Sequence, residues 1–227
     1  NVGFKKDDGT ETIGYLSKEA LAKEKELLGI VNAGQGKMKP IADRSMVNEY
    51  GDAIGLRDDQ MQGAEVILSS RDSVVGVQGY AGVGKTYLLK GVKTVAGMRG
   101  VKVTGLAPTG EAVDALRQEA GLDSRTIASH LYQLEKEKEN TLLDRIKDAF
   151  KGVDKPLWVI DEASMVSTET LVEVLKAAEE RKAKVVLLGD KAQLGSVEWG
   201  KGFANLQAAG MQTATVDKIV RQKSREG

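Results

Sequence analysis

The sequence predicts an α/β fold, a parallel sheet with helices on both faces, preceded by a small helical N-terminal segment. Three observations carry this. From Ser73 onward, short β-branched runs alternate with stretches at helical spacing. The runs are largely apolar, as strands buried on both faces must be, and helical crossovers between them suit parallel pairing. A glycine-rich turn stands between the first run and the first helix that follows it.

Residues 1–15 are polar and glycine-bearing and read as an extended lead-in. Ser17 to Ala33 sets Leu21, Leu27, Leu28 and Val31 on one stripe and predicts a helix. GQGKMKP, residues 34–40, reads as a loop. A second helix is expected from near Asp58 to Leu68. Residues 1–55 thus read as a lead-in and small helical appendage, and residues 56–227 as the main domain. The expected strands are SVVGV (73–77), VKVTGL (101–106), PLWVI (156–160) and KVVLLG (184–189), with TATV (213–216) a later candidate. Helices are expected over 85–96, 111–119, 128–138, 141–150 and 168–180, with right-handed crossovers. The EKEKE run at 135–139 reads as a solvated helix surface, and Trp158 as core.

At 227 residues, and roughly 100–200 residues per domain, the chain holds one full domain and something smaller. Lys plus Arg equals Asp plus Glu at 33 each, so net charge argues neither for nor against nucleic acid. Affinity for phosphates follows local Lys and Arg placement instead. The absence of cysteine excludes thiolate metal sites, and a single histidine excludes a His-rich one. Lack of cysteine also fits a reducing compartment, and a cytoplasmic location is expected. There is no apolar run near about 18 residues and no signal-peptide pattern, so no membrane insertion is expected. The polar start at Asn1, without methionine, reads as a piece of a longer protein.

The strongest local signal is Gly79-Tyr-Ala-Gly-Val-Gly-Lys85-Thr86, which matches G-x-x-x-x-G-K-T between an expected strand and an expected helix. Gly79, Gly82 and Gly84 let backbone N–H groups curl around an anion, and the helix N-terminus adds partial positive charge. Lys85 is placed to reach the β- and γ-phosphates of ATP, and the Thr86 hydroxyl to ligate Mg²⁺. Tyr80, inside the loop, reads as packing or lining the site. LWVIDEAS, residues 157–164, supplies the other half: an apolar strand delivers Asp161 and Glu162 to the edge where open α/β sheets bind ligands. Asp161 is expected to hold Mg²⁺, and Glu162 to polarise the attacking water. Such an acidic pair is costly at a buried strand end unless it meets a cation. Asp plus Glu favours a hydrolase over a kinase.

GLAPTGEAVDAL (105–116), LLGDKAQL (187–194) and VDKIVRQ (216–222) resemble motifs Ia, III and IV of superfamily-one helicases, in that order. DEAS with GDKAQL is similar to the RecD-like branch, which moves 5′ to 3′, and LRDDQ (56–60) resembles its Q motif. The resemblance implies a RecA-like P-loop NTPase fold. It implies that Gln60 reads adenine, that Gln193 senses the γ-phosphate, and that Arg221 contributes charge there. Pro108 and Thr109 would hold a DNA phosphate. Arg125, Thr126, Ser129 and His130, in SRTIASHL, resemble the next DNA-contacting block. Taken alone His130 reads as a structural surface histidine; the resemblance puts it near DNA. Two roles fit Trp199: stacking on a base, worth about 1–3 kcal/mol, or packing beneath the motif III loop.

QGYAGVGKT (78–86) with KIVRQ (218–222) resembles the helicase part of TraI-like conjugative relaxases, and IGYLSKEALAKEKELLGIVNAG (13–34) resembles the helical segment before that core. This resemblance implies plasmid transfer on single-stranded DNA. It implies as partners the relaxase domain and a second RecA-like helicase domain of the same polypeptide, with its motifs V and VI, and a type IV secretion coupling protein. No histidine triad exists here, so nicking is not assigned to this chain. A RecD-like repair helicase, or a helicase-like DNA-binding module without turnover, are the alternatives. The intact set Lys85, Thr86, Asp161, Glu162, Gln193 and Arg221 favours the motor.

Overall fold

A computed structural model of the chain describes residues 2–5, 11–14, 17–79, 84–139, 156–190 and 201–217. The lead-in is a hairpin rather than merely extended chain. Strand β1 (Val2–Lys5) pairs antiparallel with β2 (Glu11–Gly14), Val2 opposite Gly14. Strands of this length are too short to show a period-two pattern.

Helix α1 (Lys18–Ala33) begins where its cap predicts: the Ser17 hydroxyl accepts from the Ala20 amide at 3.0 Å. Leu27 and Val31 are buried, whereas Leu21, in the first turn, is 41% exposed and stands off the expected stripe. Helix α2 (Arg44–Ile54) was not expected. Its signals are present in the sequence: Asp43 caps the Met46 amide at 2.9 Å, and Gly55 ends it in the left-handed region with φ 73°. Helix α3 (Asp58–Ser69) then leads into the main sheet.

The sheet elements follow as β3 (Val74–Gly79), α4 (Lys85–Met98), β4 (Val103–Ala107), α5 (Gly110–Ala120), β5 (Asp123–Thr126) and α6 (Ile127–Glu139). After these come β6 (Leu157–Ile160), a 3₁₀ turn (Ala163–Met165), α7 (Thr168–Glu180), β7 (Lys184–Gly189), α8 (Lys201–Ala208) and β8 (Thr213–Val216). The six strands lie in the order β5-β4-β6-β7-β3-β8, and every neighbouring pair is parallel. Helices cover both faces, which is the RecA-like α/β architecture expected from the sequence. Strand β5 and helix α8 were not expected. The segment DSRT is polar because β5 is an edge strand and owes the core only one buried side chain, Ser124. The expected helix at 141–150 lies outside the described residues.

Side chains alternate across the strands to feed two cores. Val75, Val77, Val186 and Leu188 meet α3, α4 and α5 through Ile67, Leu68, Leu88, Val92 and Leu116. Val74, Val185, Leu187 and Trp158 meet α1, α7 and α8 through Leu27, Leu171, Leu175, Phe203 and Leu206. Each such side chain contributes roughly 1.5–3 kcal/mol when fully buried. The segment before residue 56 enters both cores: Leu27 and Val31 of α1 belong to one, Ala42 and Val47 to the other. Trp158 is core, as expected. Residues 135–138 are exposed, as expected of the charged run, and two of them bridge to α7: Glu137 to Arg181 at 2.7 Å and Lys138 to Glu180 at 2.6 Å. Among the described residues, no helix is long and apolar enough to cross a membrane.

Candidate nucleotide site and nucleic-acid edge

Parallel pairing sends the ends of β3, β4, β6 and β7 to one edge of the sheet, and a cavity of about 440 Å³ opens there. Gly84, Lys85, Thr86, Asp161, Glu162 and Asp190 line it. Strand β7 lies between β3 and β6. The phosphate loop and the acidic pair are therefore held one strand apart, with Gly189 and Asp190 at the end of the intervening strand.

Gly79 ends β3, and Gly84 is the N-cap of α4. Gly82 and Tyr80 lie outside the described residues. Gly84 has φ 88°, and a Cβ there would stand 2.6 Å from Gln60 Nε2. Both the backbone and the space demand glycine. The Lys85 ammonium donates to the Gly79 carbonyl at 3.2 Å, across the mouth of the loop. The first turn of α4 carries no acidic residue, so its positive end is left for an anion. The Thr86 hydroxyl donates to Glu119 of α5 at 3.1 Å.

At the end of β6, the Asp161 amide donates to the Leu106 carbonyl at 2.8 Å. Glu162 sits in the left-handed region at φ 52°, ψ 35°. A non-glycine residue there stores on the order of 1 kcal/mol or more of strain. The turn is held by the Glu162 amide, which donates to Asp161 Oδ1 at 2.9 Å. Burial raises the pKa of the Glu162 carboxyl above the ordinary value; Asp161 and Glu111 add to this, and Lys85 opposes it. A carboxylate with raised proton affinity is the better base toward water.

Gln60 is placed against the base of the phosphate-binding helix. Its carboxamide is buried, and Nε2 donates to the Gly84 carbonyl at 3.0 Å while Oε1 accepts from the Arg57 amide at 3.1 Å. It ties α3 to Gly84 at the start of α4. The neighbouring Arg57 pairs with the buried Asp59 at 3.1 Å.

Strand ends β4 and β5 are neighbours, with Ala107 opposite Thr126. Pro108, Thr109, Arg125, Thr126 and Ser129 therefore share the same edge. Thr109 caps α5 by accepting from the Ala112 amide at 3.2 Å, and Thr126 accepts from the Ser129 amide at 3.2 Å. Arg125 is held by Gln133 and by Asp123. His130 departs from one sequence reading: its ring is buried, so it is not a surface histidine. Gln193, Trp199 and Arg221 lie outside the described residues. Glu119, Glu111 and Asp190 were missed by sequence reasoning. Asp190 stands in the GDKAQL block and was legible; Glu119 lies on α5 three residues beyond the end of the 105–116 block.

Among the described residues no cluster of three or more His, Asp or Glu side chains could hold a metal alone. The Thr86 hydroxyl and Asp161 carboxylate nevertheless suit Mg²⁺ in a phosphate site, where one or two protein oxygens join phosphate and water.

Residues 55–227 match the model of the AAA domain family. The chain belongs to that family. An AAA domain is a nucleotide-binding domain, of a kind that typically works with a divalent metal. This AAA domain is 33% identical over 168 residues to the conjugal transfer protein TraA of Rhizobium radiobacter, covering 74% of the chain and 14% of the relative. The chain is 29% identical over 212 residues to the multifunctional conjugation protein TraI of Escherichia coli K12, covering 91% of the chain and 11% of the relative. The chain thus spans about a seventh or less of these relatives' length. In fold it is similar to the Pif1 helicase from Candida albicans, with a TM-score of 0.50 and 22% identity, over 74% of this chain and 41% of that one. These likenesses agree with the TraI-like helicase resemblance carried by the motifs.

Proposed function

We propose that the chain is the ATP-binding motor segment of a DNA helicase that moves 5′ to 3′ on single-stranded DNA during conjugative plasmid transfer. The observation that carries this is one cavity gathering Lys85, Thr86, Asp161 and Glu162 beside the edge formed by Pro108, Thr109, Arg125, Thr126 and Ser129. The similarity to TraA and TraI supports the conjugative setting.

In this reading Lys85 and the backbone of the loop hold the β- and γ-phosphates, and Thr86 and Asp161 hold Mg²⁺. When bound, Mg²⁺ neutralises charge on the phosphate oxygens. Glu162 accepts the proton of a water whose oxygen bonds to the γ-phosphorus; the bond from that phosphorus to the bridging oxygen breaks, leaving ADP and phosphate. Gln193 and Arg221 complete the γ-phosphate contacts, and Trp199 serves the DNA side. Residues 56–227 form the first RecA-like unit. A second such domain of the longer protein supplies the opposing wall, a relaxase domain of the same polypeptide delivers the strand, and a type IV secretion coupling protein receives it. Closure of two domains assembles transition-state contacts.

The chain alone is therefore expected to bind Mg-ATP and to hydrolyse it poorly. A steady-state ATPase assay with and without single-stranded DNA tests this, and robust stimulation of the chain by itself overturns it. In the longer protein, Lys85→Ala is expected to abolish ATPase and unwinding with the fold retained. Retained unwinding would move the site elsewhere.

A further inference from the structure

Thr86 carries the hydroxyl on which the proposed cation depends, yet the partner of that hydroxyl does not come from the acid strand. Asp161 gives Oδ1 to the Glu162 amide at 2.9 Å. Thr86 Oγ1 donates instead to Glu119 Oε2 at 3.1 Å, from the last turn of α5. Glu119 lines the same cavity as Lys85, Asp161 and Glu162.

The carboxylate is held there by its helix. Leu116 and Ala120, on either side of Glu119, are buried in the core against α4. Gly121 ends α5 in the left-handed region with φ 64°, and its carbonyl accepts from Lys93 of α4 at 2.6 Å. The C-terminal end of α5 is thus fastened to the helix whose first turn carries Thr86. A hydroxyl has one hydrogen and two lone pairs. When Glu119 takes the hydrogen, the lone pairs remain for a cation, and the carboxylate adds negative charge behind the ligand. Partners of this kind fix the orientation and strengthen the basicity of a ligating group.

We propose that Glu119 is a positioning residue for the divalent cation: by holding the Thr86 hydroxyl it sets how tightly Mg²⁺ joins the nucleotide complex. The proposal rests on the reading of Thr86 as a Mg-nucleotide ligand.

The test is binding of a fluorescent ATP analogue by this 227-residue chain, titrated with Mg²⁺ and repeated in EDTA, for the wild type, Glu119→Ala and Glu119→Gln. Glu119 is exposed, so neither variant disturbs the core. In EDTA all three are expected to bind the analogue with affinities within about twofold. The Mg²⁺ concentration giving half-maximal tightening is expected to rise about tenfold in Glu119→Ala, the lower end for a partner of a metal ligand. Glu119→Gln keeps an acceptor for the hydroxyl without the charge and is expected to fall between the other two. Unchanged Mg²⁺ midpoints in both variants, with the wild type binding, would overturn the role of Glu119 alone. Failure of the wild type to bind nucleotide at any Mg²⁺ concentration would overturn the nucleotide reading and this inference with it.

Discussion

The imidazole of His130 meets the indole of Trp158 edge to face, with ring centroids 4.5 Å apart and planes at 89°. Neither ring nitrogen has a hydrogen-bond partner among the described residues. Burial, with Arg125 and Arg181 nearby and only Glu137 opposing, lowers the pKa of His130 from 6.5 to about 4. The unfolded chain takes up this proton before the folded one does, so the associated stability is full above pH 6.5 and is lost as pH falls through 4. The loss amounts to about 3 kcal/mol at most. His130→Phe keeps an aromatic edge against Trp158 and removes the titration. Urea unfolding at pH 7 and pH 4.5 is expected to show the variant losing less stability than the wild type. Equal losses would count against the assignment.

Lys184 presents the same sign at the other end of the scale. Its side chain is buried at the start of β7, with Nζ donating to the Ser70 carbonyl at 2.7 Å. Burial lowers its pKa from 10.5 to about 8, with Asp72 opposing. The charged form is thus held at a cost at neutral pH, and wild-type stability recovers as pH rises from 8 to 10.5. Lys184→Met removes the charge along with one hydrogen bond, a loss of about 1 kcal/mol that does not change with pH. Between pH 7 and pH 10 the variant is expected to lose up to about 3 kcal/mol relative to the wild type. Denaturant midpoints at the two pH values measure it, and a constant difference would refute it.

For the acidic pair the prediction concerns rate. Glu162→Gln in the longer protein is expected to retain Mg-ATP binding and to lose about 10²- to 10⁴-fold in ATPase turnover. Because Glu111 contributes to the raised pKa of Glu162, Glu111→Gln is expected to move the acid limb of the ATPase pH profile to lower pH. A shift upward, or none, would show that the limb reports another group.

Gly84→Ala tests the cradle. The left-handed backbone would cost about 1–2 kcal/mol, and the new Cβ would press on Gln60 Nε2. Affinity for a fluorescent nucleotide is expected to fall at least about tenfold, one decade being about 1.4 kcal/mol, with a loss of folding stability of the same order. Unchanged affinity would mean that the phosphate loop does not depend on the tie between Gln60 and Gly84.

The sheet was legible because LWVI and the VVLLG that follows Lys184 are unbroken apolar runs, a pattern that a strand covered on both faces requires. Strand β5 was not, since DSRT at the edge needs no such run. The site was legible where its chemistry is contiguous in the chain, as in Gly84-Lys85-Thr86 and Asp161-Glu162. It was not legible where a side chain arrives from elsewhere: Glu119 reaches Thr86 from another helix, and Gln60 is claimed by the Gly84 carbonyl. The burial of His130 depends on Trp158 in a strand far along the sequence.

Helix α1 sets Leu27 3.3 Å from where a Cβ on Gly202 would lie, beside Leu171 of α7, while Val47 of α2 sits in the opposite core. The part of the chain shared with the AAA domain family begins at residue 55, after both helices. The stretch the family model covers and the unit that folds are therefore not the same piece. A gene fusion joined at that boundary would leave two hydrophobic faces uncovered, and only a donor that also carried α1 and α2, or new side chains shaped to replace them, would cover them again.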